Sequence, residues 1–390
     1  QMWCEDWYTT AHLAAWPESK RLKSALKDKR RGTKYTMPGI KHEICSSNDT
    51  KQDTEAFKAV DPKINKEGLL WLIDARRHFH AVEATGTILS MLGQGMDMSG
   101  RSTAVTPYSL EIWSIRFQLL LGLQKYKELL DELSSFEELD APDLFFQYHS
   151  TDAEEKKGSL IPFAMRLVYA EALIYSPLPK TAVARVYQLI TDINTVMTSL
   201  ISSSSPVEHL DAWKKRLRVA VALKCRILNS LGETEHTIKE LIVMKDSSED
   251  EEEKKNLSLC LSRLSLTVCN EEAACKYLSE ITSVTADEKA LHSALIATFV
   301  GDNEASLELL KTTSADGKLS FANNTALALL YNGKPVEAAD LLIKVAKEYQ
   351  TKNLPLHPSF ALNLKTISEV AYATNTKTKC MSEVKSFITL

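Results

Sequence analysis

Apolar side chains recur at the spacing of an α-helix along most of this chain. In residues 68–92, GLLWLIDARRHFHAVEATGTILSML, apolar positions fall three or four residues apart, which places them on one face of a helix. The sequence GQG at 93–95 interrupts this pattern, and a second apolar stretch, SLEIWSIRFQLLLGL, follows at 109–123. The alternation of a half-buried strand is absent. The pattern therefore predicts an all-α chain of short helical hairpins.

Turn residues divide the later part of the chain at a regular interval. Cys269, Gly301 and Gly333 lie 32 residues apart, and each separates two amphipathic segments. We expect an earlier hairpin to turn at Gly232, and its longer spacing of 37 residues to Cys269 comes from the acidic insertion SSEDEEEKK. A period of about 34 residues is typical of the tetratricopeptide repeat (TPR), in which each hairpin stacks on the next. These are degenerate copies, because the Trp-Leu-Gly-Tyr signature of the repeat is absent.

The repeats also set the predicted domain boundaries. We expect a TPR-like helical-hairpin solenoid over residues 61–390, with its clearest repeats at 211–345 and a C-terminal cap at 359–390. Two helices pack closely only where small side chains lie at their crossing point. In two successive repeats the crossing positions hold small residues, namely Ala294, Ser306, Ala326 and Ala338.

Residues 1–60 have a different composition from the rest. Between Lys20 and Lys34 there are eight basic residues and one acid, Asp28, and few apolar residues are available for burial. This composition predicts a poorly ordered, flexible basic segment, either a solvated linker or a contact with an acidic protein or lipid surface. A cluster of large apolar residues precedes it and is a candidate short anchoring helix; its members are Trp3, Trp7, Tyr8, Leu13 and Trp16.

Charge and cysteine content exclude several classes of function. The net charge of −4 argues against a nucleic-acid-binding protein. The seven cysteines have irregular spacing without a zinc-site pattern, so we expect reduced thiols. The apolar runs are shorter than the ~18 residues of a membrane helix, and the first residues lack a signal-peptide core. The sequence predicts a cytoplasmic or peripheral membrane protein.

Catalytic constellations are also missing from the sequence. His78 and His80 are two residues apart on a predicted helix and therefore point to different faces, which argues against a shared metal ion. Phosphate-binding loops, nucleophile elbows and zinc-protease motifs do not occur. We therefore predict a protein without catalytic residues, cofactor or metal.

The stretch LDAPDLFFQY at 139–148 combines two acids, a proline and three aromatic residues. We interpret it as an extended connection between two hairpins, in which the acids cap helices or turns. The aromatic rings either staple neighbouring repeats together or dock a partner subunit, because aromatic residues dominate interface hot spots. The candidate residues are Leu139, Asp140, Pro142, Asp143, Phe145, Phe146 and Tyr148.

The acidic run SSEDEEE at 247–253 interrupts the repeat, so we expect a surface loop. It is either a solvated insertion or a phosphorylation site. Ser247 and Ser248 precede acids, which is the pattern that acidophilic kinases use, and phosphorylation would add further negative charge.

Longer segments resemble a known family. The run SLEIWSIRFQLLLGLQKYKELLDELSSFEELDAPDLFFQYHS at 109–150 is followed by KKGSLIPFAMRLVYAEAL at 156–173. These segments resemble the TPR-containing subunit-twelve family of the trafficking protein particle (TRAPP III) complex. In that family a Leu-Asp-x-Pro-Asp-Leu-aromatic-aromatic segment precedes a Gly-Ser-hydrophobic-hydrophobic-Pro-Phe-x-Met-Arg segment, which correspond here to 139–146 and 158–166. The resemblance covers roughly residues 65–390.

The resemblance implies a non-catalytic scaffold subunit of a tethering complex that promotes nucleotide exchange on a Rab-family GTPase. The implied pathways are ER-to-Golgi and Golgi vesicle transport and autophagy. The implied partners are the large peripheral subunits eight and eleven and subunit thirteen, with the Rab GTPase contacted indirectly. The implied location is cytoplasmic and peripheral, at the ER-Golgi intermediate compartment and the Golgi.

A second hypothesis is a TPR co-chaperone that binds a C-terminal peptide carboxylate. Such a site needs Lys and Asn side chains at matched positions along successive A helices, the first helix of each hairpin. Lys215, Asn323 and Asn324 are available, but they do not recur in phase across the repeats.

Overall fold

The computed structural model describes residues 16–28, 30, 32–44, 65–149, 157–281, 284–311, 319–351 and 356–372. The chain divides into two units, Gln1–Glu233 and Thr234–Leu390. Helices dominate the described residues of both units, and the extended contacts there are two isolated bridges. The predicted all-α fold is confirmed.

The first unit is built from nine α-helices in its described residues. They are α1 Lys20–Lys27, α2 Lys66–Asp74, α3 His78–Met91, α4 Pro107–Gly122, α5 Tyr126–Leu133, α6 Phe146–His149, α7 Phe163–Ala172, α8 Thr181–Ser202 and α9 Val207–Ser230. Helix α4 starts with a proline and a reciprocal capping box, in which the Thr106 and Ser109 side chains each accept from the other residue's backbone N–H. These local signals explain why the helix begins where it does.

Helix α4 is the centre of the first unit. It packs against α3, α5 and α7, and nearly every residue from Leu110 to Leu120 is buried. Trp113, Phe117 and Phe136 form a compact aromatic cluster with ring centroids 5.3–5.8 Å apart. The Trp113 indole N–H donates to the Gln94 side chain at 2.7 Å, so the GQG break supplies a core hydrogen bond. A helix that is apolar on all sides is expected for such a buried position.

The second unit is an array of stacked hairpins. Its described helices are α10 Thr234–Asp246, α11 Glu251–Thr267, α12 Glu271–Ser279, α13 Ala286–Val300, α14 Asn303–Lys311, α15 Leu319–Tyr331, α16 Pro335–Thr351 and α17 Pro358–Ala371. The pairs α11–α12, α13–α14 and α15–α16 are the three predicted hairpins, and the A helices α11, α13, α15 and α17 contact one another in sequence. This hairpin stacking confirms the predicted TPR-like architecture.

The division between the units corrects one predicted hairpin. We paired the helices on either side of Gly232, but the boundary falls between Glu233 and Thr234. Helix α9 instead pairs with α8 in the first unit, whereas α10 pairs with α11 in the second. The left-handed glycine at 232 marks the end of a helix, and it does not determine which helix packs on which.

The predicted crossing residues are all buried in the second unit. Ala294, Ser306, Ala326 and Ala338 are each at most 1% exposed. The Ser306 hydroxyl lies 2.9 Å from that of Thr298 on the preceding helix, so a polar side chain is satisfied inside this hairpin. Small side chains at these positions permit the close approach of α13 to α14 and of α15 to α16.

Backbone strain at the turns gives a first prediction. Gly301 ends α13 with φ of 96°, and no atom lies within 4 Å of where a Cβ would stand. Gly301→Ala should therefore destabilise the second unit through the backbone alone, by about 1 kcal/mol. The matched control is Cys269→Gly at the equivalent turn, because exposed Cys269 already has φ of 59°. Far-UV CD melts should place Cys269→Gly at or slightly above the wild type and Gly301→Ala below it; equal melts would contradict the strain.

The buried His292 gives a pH-dependent prediction. Its Nδ1–H donates to the Glu288 carbonyl at 2.9 Å, and its buried Nε2 has no hydrogen-bond partner among the described residues. Burial lowers the pKa of His292, and the nearby Arg263 charge lowers it further. The folded second unit therefore binds a proton less readily than the unfolded chain, so stability is retained above about pH 6.5 and lost as pH falls below it.

We expect the loss to approach about 1.4 kcal/mol per pH unit at most, because a single proton is involved. Urea unfolding followed by far-UV CD at pH 7.5 and 5.0 measures it. His292→Met should reduce the difference between the two pH values. A difference as large in the variant as in the wild type would assign the pH dependence to other groups.

Helices that cross a membrane need a long apolar stretch. Among the described helices, none is long and apolar enough to do so.

Candidate interaction surface

The LDAPDLFFQY stretch folds into two short helical turns. Pro142–Leu144 forms one turn of 3-10 helix and Phe146–His149 forms α6. The connection is therefore mainly helical, whereas we predicted an extended one. Phe145 lies between them and pairs with Ser159 in an antiparallel bridge. The Leu160 N–H donates to the Leu144 carbonyl at 2.8 Å. The stretch is thereby fixed to the segment that leads into α7.

Most of the candidate side chains in this stretch are buried. Leu139, Phe145 and Tyr148 are 2%, 1% and 3% exposed, and Phe146 is half-buried against the same core. Pro142 and Asp143 are buried too, whereas Asp140 is half-buried. The aromatic rings other than Phe146 are therefore not available to a partner in this state.

The described residues between Trp16 and Ile44, which we call the N-terminal arm, cover this stretch. Trp16, Leu22, Ala25, Ile40 and Ile44 of the arm are buried in the core of the first unit. The prediction of a flexible segment over residues 1–60 is therefore corrected for the arm. Trp16 is buried but precedes α1 in non-helical backbone, and Trp3, Trp7, Tyr8 and Leu13 lie outside the described residues, so the predicted anchoring helix stays a prediction.

Asp143 holds the extended half of the arm. One carboxylate oxygen accepts three hydrogen bonds, from the N–H of Tyr35 at 3.0 Å and from the N–H and hydroxyl of Thr36 at 2.8 Å each. Asp143 is 3% exposed, so these donors replace the water that a charged carboxylate requires. The Tyr148 hydroxyl has one hydrogen, which the carbonyls of Thr33, at 2.7 Å, and of Arg30 share.

Acidic side chains hold the helical half of the arm. Arg21 of α1 forms ion pairs with Glu137 and with Asp140, the latter at 3.2 Å. The Ser19 hydroxyl donates to the Asp140 carbonyl at 2.7 Å and accepts from the Leu22 N–H, so it also caps α1. The basic composition that predicted disorder thus meets acids more than 100 residues later in the sequence.

A stack of aromatic rings and guanidinium groups receives Trp16. The Arg166 guanidinium lies 4.0 Å from the Trp16 ring centroid, Trp16 stacks on Trp213 at 6.0 Å, and Arg216 lies 4.4 Å from Trp213. Burial lowers the pKa of Arg166 to about 9 and that of Arg216 to about 10. Both side chains remain charged at neutral pH, so the electron-rich indole faces stabilise two buried cations.

The end of the arm packs on the loop after α3. The Ile40 N–H donates to the Gly95 carbonyl at 3.0 Å, and Ile40 pairs with Met96 in the second bridge. Gly39 lies so close to the loop that a methyl group there would overlap the backbone of Met98 and Ser99. Only glycine fits this approach.

The predicted phosphorylation sites lie in a different environment from the surface loop that we expected. The acids Glu251, Glu252 and Glu253 form the first turn of α11, where they complement the helix dipole. Ser248 is 5% exposed and donates to the Glu253 carboxylate, and Ser247 donates to the Met244 carbonyl at 3.1 Å. The acidic run is therefore a short non-helical stretch at residues 247–250 followed by a capped helix start at 251–253, and it is not a loop throughout. Modification of either serine stays a prediction.

The histidine pair and the cysteines do not form a metal site in the described residues. No group of three or more His, Cys, Asp and Glu side chains with suitable geometry occurs there. His78 begins α3, where burial lowers its pKa.

Sequence reasoning missed the residues that the N-terminal arm contacts. It did not single out Glu137, Arg166, Trp213 or Arg216, because each belongs to a helix or turn that looks ordinary by itself. The available signal was charge: a basic run at 20–34 and acids at 137, 140 and 143. Because these opposite charges lie far apart in the sequence, the sequence did not show which basic residue pairs with which acid.

Comparisons with known proteins agree with the sequence resemblance. The chain is similar to trafficking protein particle complex subunit 12 of mouse and of human, with 24% and 25% identity over 377 aligned residues. The alignments cover 86% of this chain but 46% and 50% of those proteins, so the chain spans about half the length of the curated relatives it matches. The resemblance is thereby confirmed. No family model matches the chain.

The comparison with solved structures matches two TPR proteins. A TPR protein from Parabacteroides merdae is 16% identical with a TM-score of 0.29, covering 67% of this chain and 99% of that one. The TPR domain of P58(IPK) is 12% identical with a TM-score of 0.21, covering 84% of this chain and 98% of that one.

Proposed function

We propose, from the similarity to subunit 12 over 86% of the chain, that this protein is a non-catalytic assembly subunit of a trafficking protein particle complex. That similarity is the observation that carries the proposal. The fold supports it, because stacked hairpins present extended surfaces whose shape is set before binding, and little conformational entropy is lost on association.

The finer proposal places the chain in TRAPP III. There it would hold the large peripheral subunits eight and eleven and subunit thirteen, while the exchange of nucleotide on a Rab-family GTPase takes place on other subunits. Its location would be cytoplasmic and peripheral, at the ER-Golgi intermediate compartment and the Golgi, with roles in vesicle transport and autophagy. The support for these details is the family resemblance of residues 109–173.

Partner docking at the LDAPDLFFQY stretch is part of the proposal in a restricted form. Because the arm covers the acids and Tyr148, a partner meets the half-buried Phe146 and the exposed His149 unless the arm leaves. We then assign stapling to Phe145 and partner docking to Phe146.

Affinity purification of the tagged full chain with quantitative mass spectrometry tests the proposal. We expect the other subunits of the trafficking complex to be enriched over a tag-only control. Leu364→Asp places a charge at a fully buried position of α17 and serves as a fold-disrupted control that should lose them. Recovery of chaperones alone by the wild-type chain would contradict the proposal.

The co-chaperone hypothesis has less support. Asn323 and Asn363 use their amides on each other, with Asn363 Nδ2 donating to Asn323 Oδ1 at 2.8 Å. Lys215 belongs to the first unit, whereas Asn323 and Asn324 belong to the second. Binding of a chaperone C-terminal peptide in calorimetry would restore this hypothesis.

A further inference from the structure

The N-terminal arm has the features of a ligand. Its contacts with the rest of the first unit form two sets. The helical half uses Trp16, Ser19 and Arg21, and the extended half uses the backbone of Tyr35 and Thr36. The contacting groups of the arm are an indole, a capped basic helix and two consecutive backbone N–H donors. The same segment of a second molecule carries the same groups. Most of the surface that the arm contacts lies between Glu137 and Arg216. Residues 39–42 of the arm also contact the loop after α3 and Asp131.

The two sides of the contact have complementary charge. Between Lys20 and Lys34 the arm has eight basic residues and one acid. The surface that it covers presents Glu137, Asp140 and Asp143. A basic segment led by a tryptophan is thus the chemistry that this surface recognises, and acids at exposed positions add attraction at long range.

The length of the sequence between the arm and helix α2 limits which receptor surfaces the arm can reach. Twenty residues, 45–64, separate Ile44 from Asn65, where the N-cap of α2 lies. A chain of this length spans at most about 70 Å when extended. A terminal arm can dock on its own molecule or on a second copy of the chain, and the same contacts form in both cases.

We propose that residues 16–44 are an exchangeable arm and that the surface from Glu137 to Tyr148, with Arg166 and Trp213, is its receptor, able to bind the arm of a second copy of this chain. In the isolated chain the covalent connection favours docking on the same molecule, because it makes that docking intramolecular. Docking on a second copy takes over when a molecule's own receptor is blocked. This inference does not depend on the proposed function.

Complementation between two defective full-length chains tests the proposal. The arm-defective chain carries Trp16→Ala and Gly39→Ala, which remove the indole and force an overlap with the backbone of Met98 and Ser99. The receptor-defective chain carries Asp143→Ala and Tyr148→Phe, which remove the hydrogen bonds of the carboxylate and of the hydroxyl to the arm and keep the buried ring. In a mixture, only the intact arm of the second chain and the intact receptor of the first are available, and they belong to different molecules.

We expect each defective chain to be monomeric alone in sedimentation velocity and the mixture to contain a 1:1 complex. A dissociation constant at or below about 10 µM is expected, because the contact of the arm with its own molecule must outweigh the conformational entropy that is lost when the arm becomes ordered. Far-UV CD checks that each chain is folded. Folded chains that form no complex at about 100 µM would overturn the proposal.

A charge-exchange set provides a second measurement with substitutions at partly exposed positions. Arg21→Glu in one chain and Glu137→Lys with Asp140→Lys in another each replace an attraction by a repulsion. The mixture should associate at least about tenfold more tightly than either chain with itself. The chain that carries all three substitutions restores the match within one molecule and should remain monomeric. Association of this triple variant as strong as that of the mixture would contradict arm exchange.

Discussion

Replacing Glu132 with alanine should lower the free energy of unfolding of the first unit by about 3–5 kcal/mol. Glu132 and Arg116 form a bidentate ion pair, with Nε and a terminal nitrogen of Arg116 donating at 2.8 and 2.9 Å. The two side chains are 0% and 2% exposed. Without Glu132, the guanidinium keeps only long contacts, to the Val82 carbonyl at 3.2 Å and the Thr85 hydroxyl at 3.4 Å. A buried cation is then left without a counter-charge.

Tryptophan fluorescence during urea unfolding measures this loss selectively. All six tryptophans precede residue 234, so their signal reports the first unit. The matched control is Glu138→Ala, which removes an ion pair with Arg185 in which Glu138 is 67% exposed, and should cost less than about 1 kcal/mol. Arg116→Met combined with Glu132→Leu should recover most of the stability, because an apolar pair has no desolvation cost. A loss below about 1 kcal/mol in Glu132→Ala would mean that water reaches Arg116.

The hairpin array of the second unit was predictable because its signals are local and repeat. Helical periodicity, turn residues 32 residues apart and small residues such as Ala326 and Ala338 all point to the same packing. Each hairpin contacts mainly its neighbours in sequence, so a correct local interpretation gives the unit almost completely. Fold prediction is easiest where the contact distance along the chain is short.

The pairing of α9 was not predictable by the same means. Its buried residues, Trp213, Ala220, Leu223 and Ile227, join the core of the first unit. The sequence shows that this face is apolar, but both neighbouring helices, α8 and α10, also have apolar residues to bury. The pairing of α9 with α8 depends on the whole core of the first unit, and the spacing of apolar residues in α9 does not show which helix packs against it.

The arm illustrates a second limit of sequence reasoning. A segment with eight basic residues and few apolar ones has too little apolar surface to fold alone. It becomes ordered because a surface more than 100 residues away supplies carboxylates, an indole and backbone acceptors. The candidate stretch at 139–148 contacts the chain's own N-terminal arm in the structure, and its role as a staple or as a docking site for a partner subunit stays a prediction.

Replacing Phe145 with alanine should also destabilise the first unit, by about 3–4 kcal/mol. Phe145 is 1% exposed and belongs to a core that the arm, the 3-10 turn at Pro142–Leu144 and the Ser159 bridge enclose on several sides. Loss of its ring leaves a cavity that these fixed backbone contacts prevent from collapsing. Tryptophan fluorescence in urea again reports the change, since Trp16 and Trp213 lie in the same core.

Phe146→Ala is the matched variant that separates stapling from docking. Phe146 is half-buried at the edge of the core, so its loss should cost about 1 kcal/mol and leave the chain folded. If the stretch docks a partner subunit, Phe146→Ala should reduce the recovery of complex subunits in affinity purification while the urea midpoint stays near that of the wild type. Full recovery would leave stapling as the function of these rings. A Phe145→Ala chain as stable as the wild type would contradict stapling as well, because a buried ring that holds two segments together cannot be removed without loss.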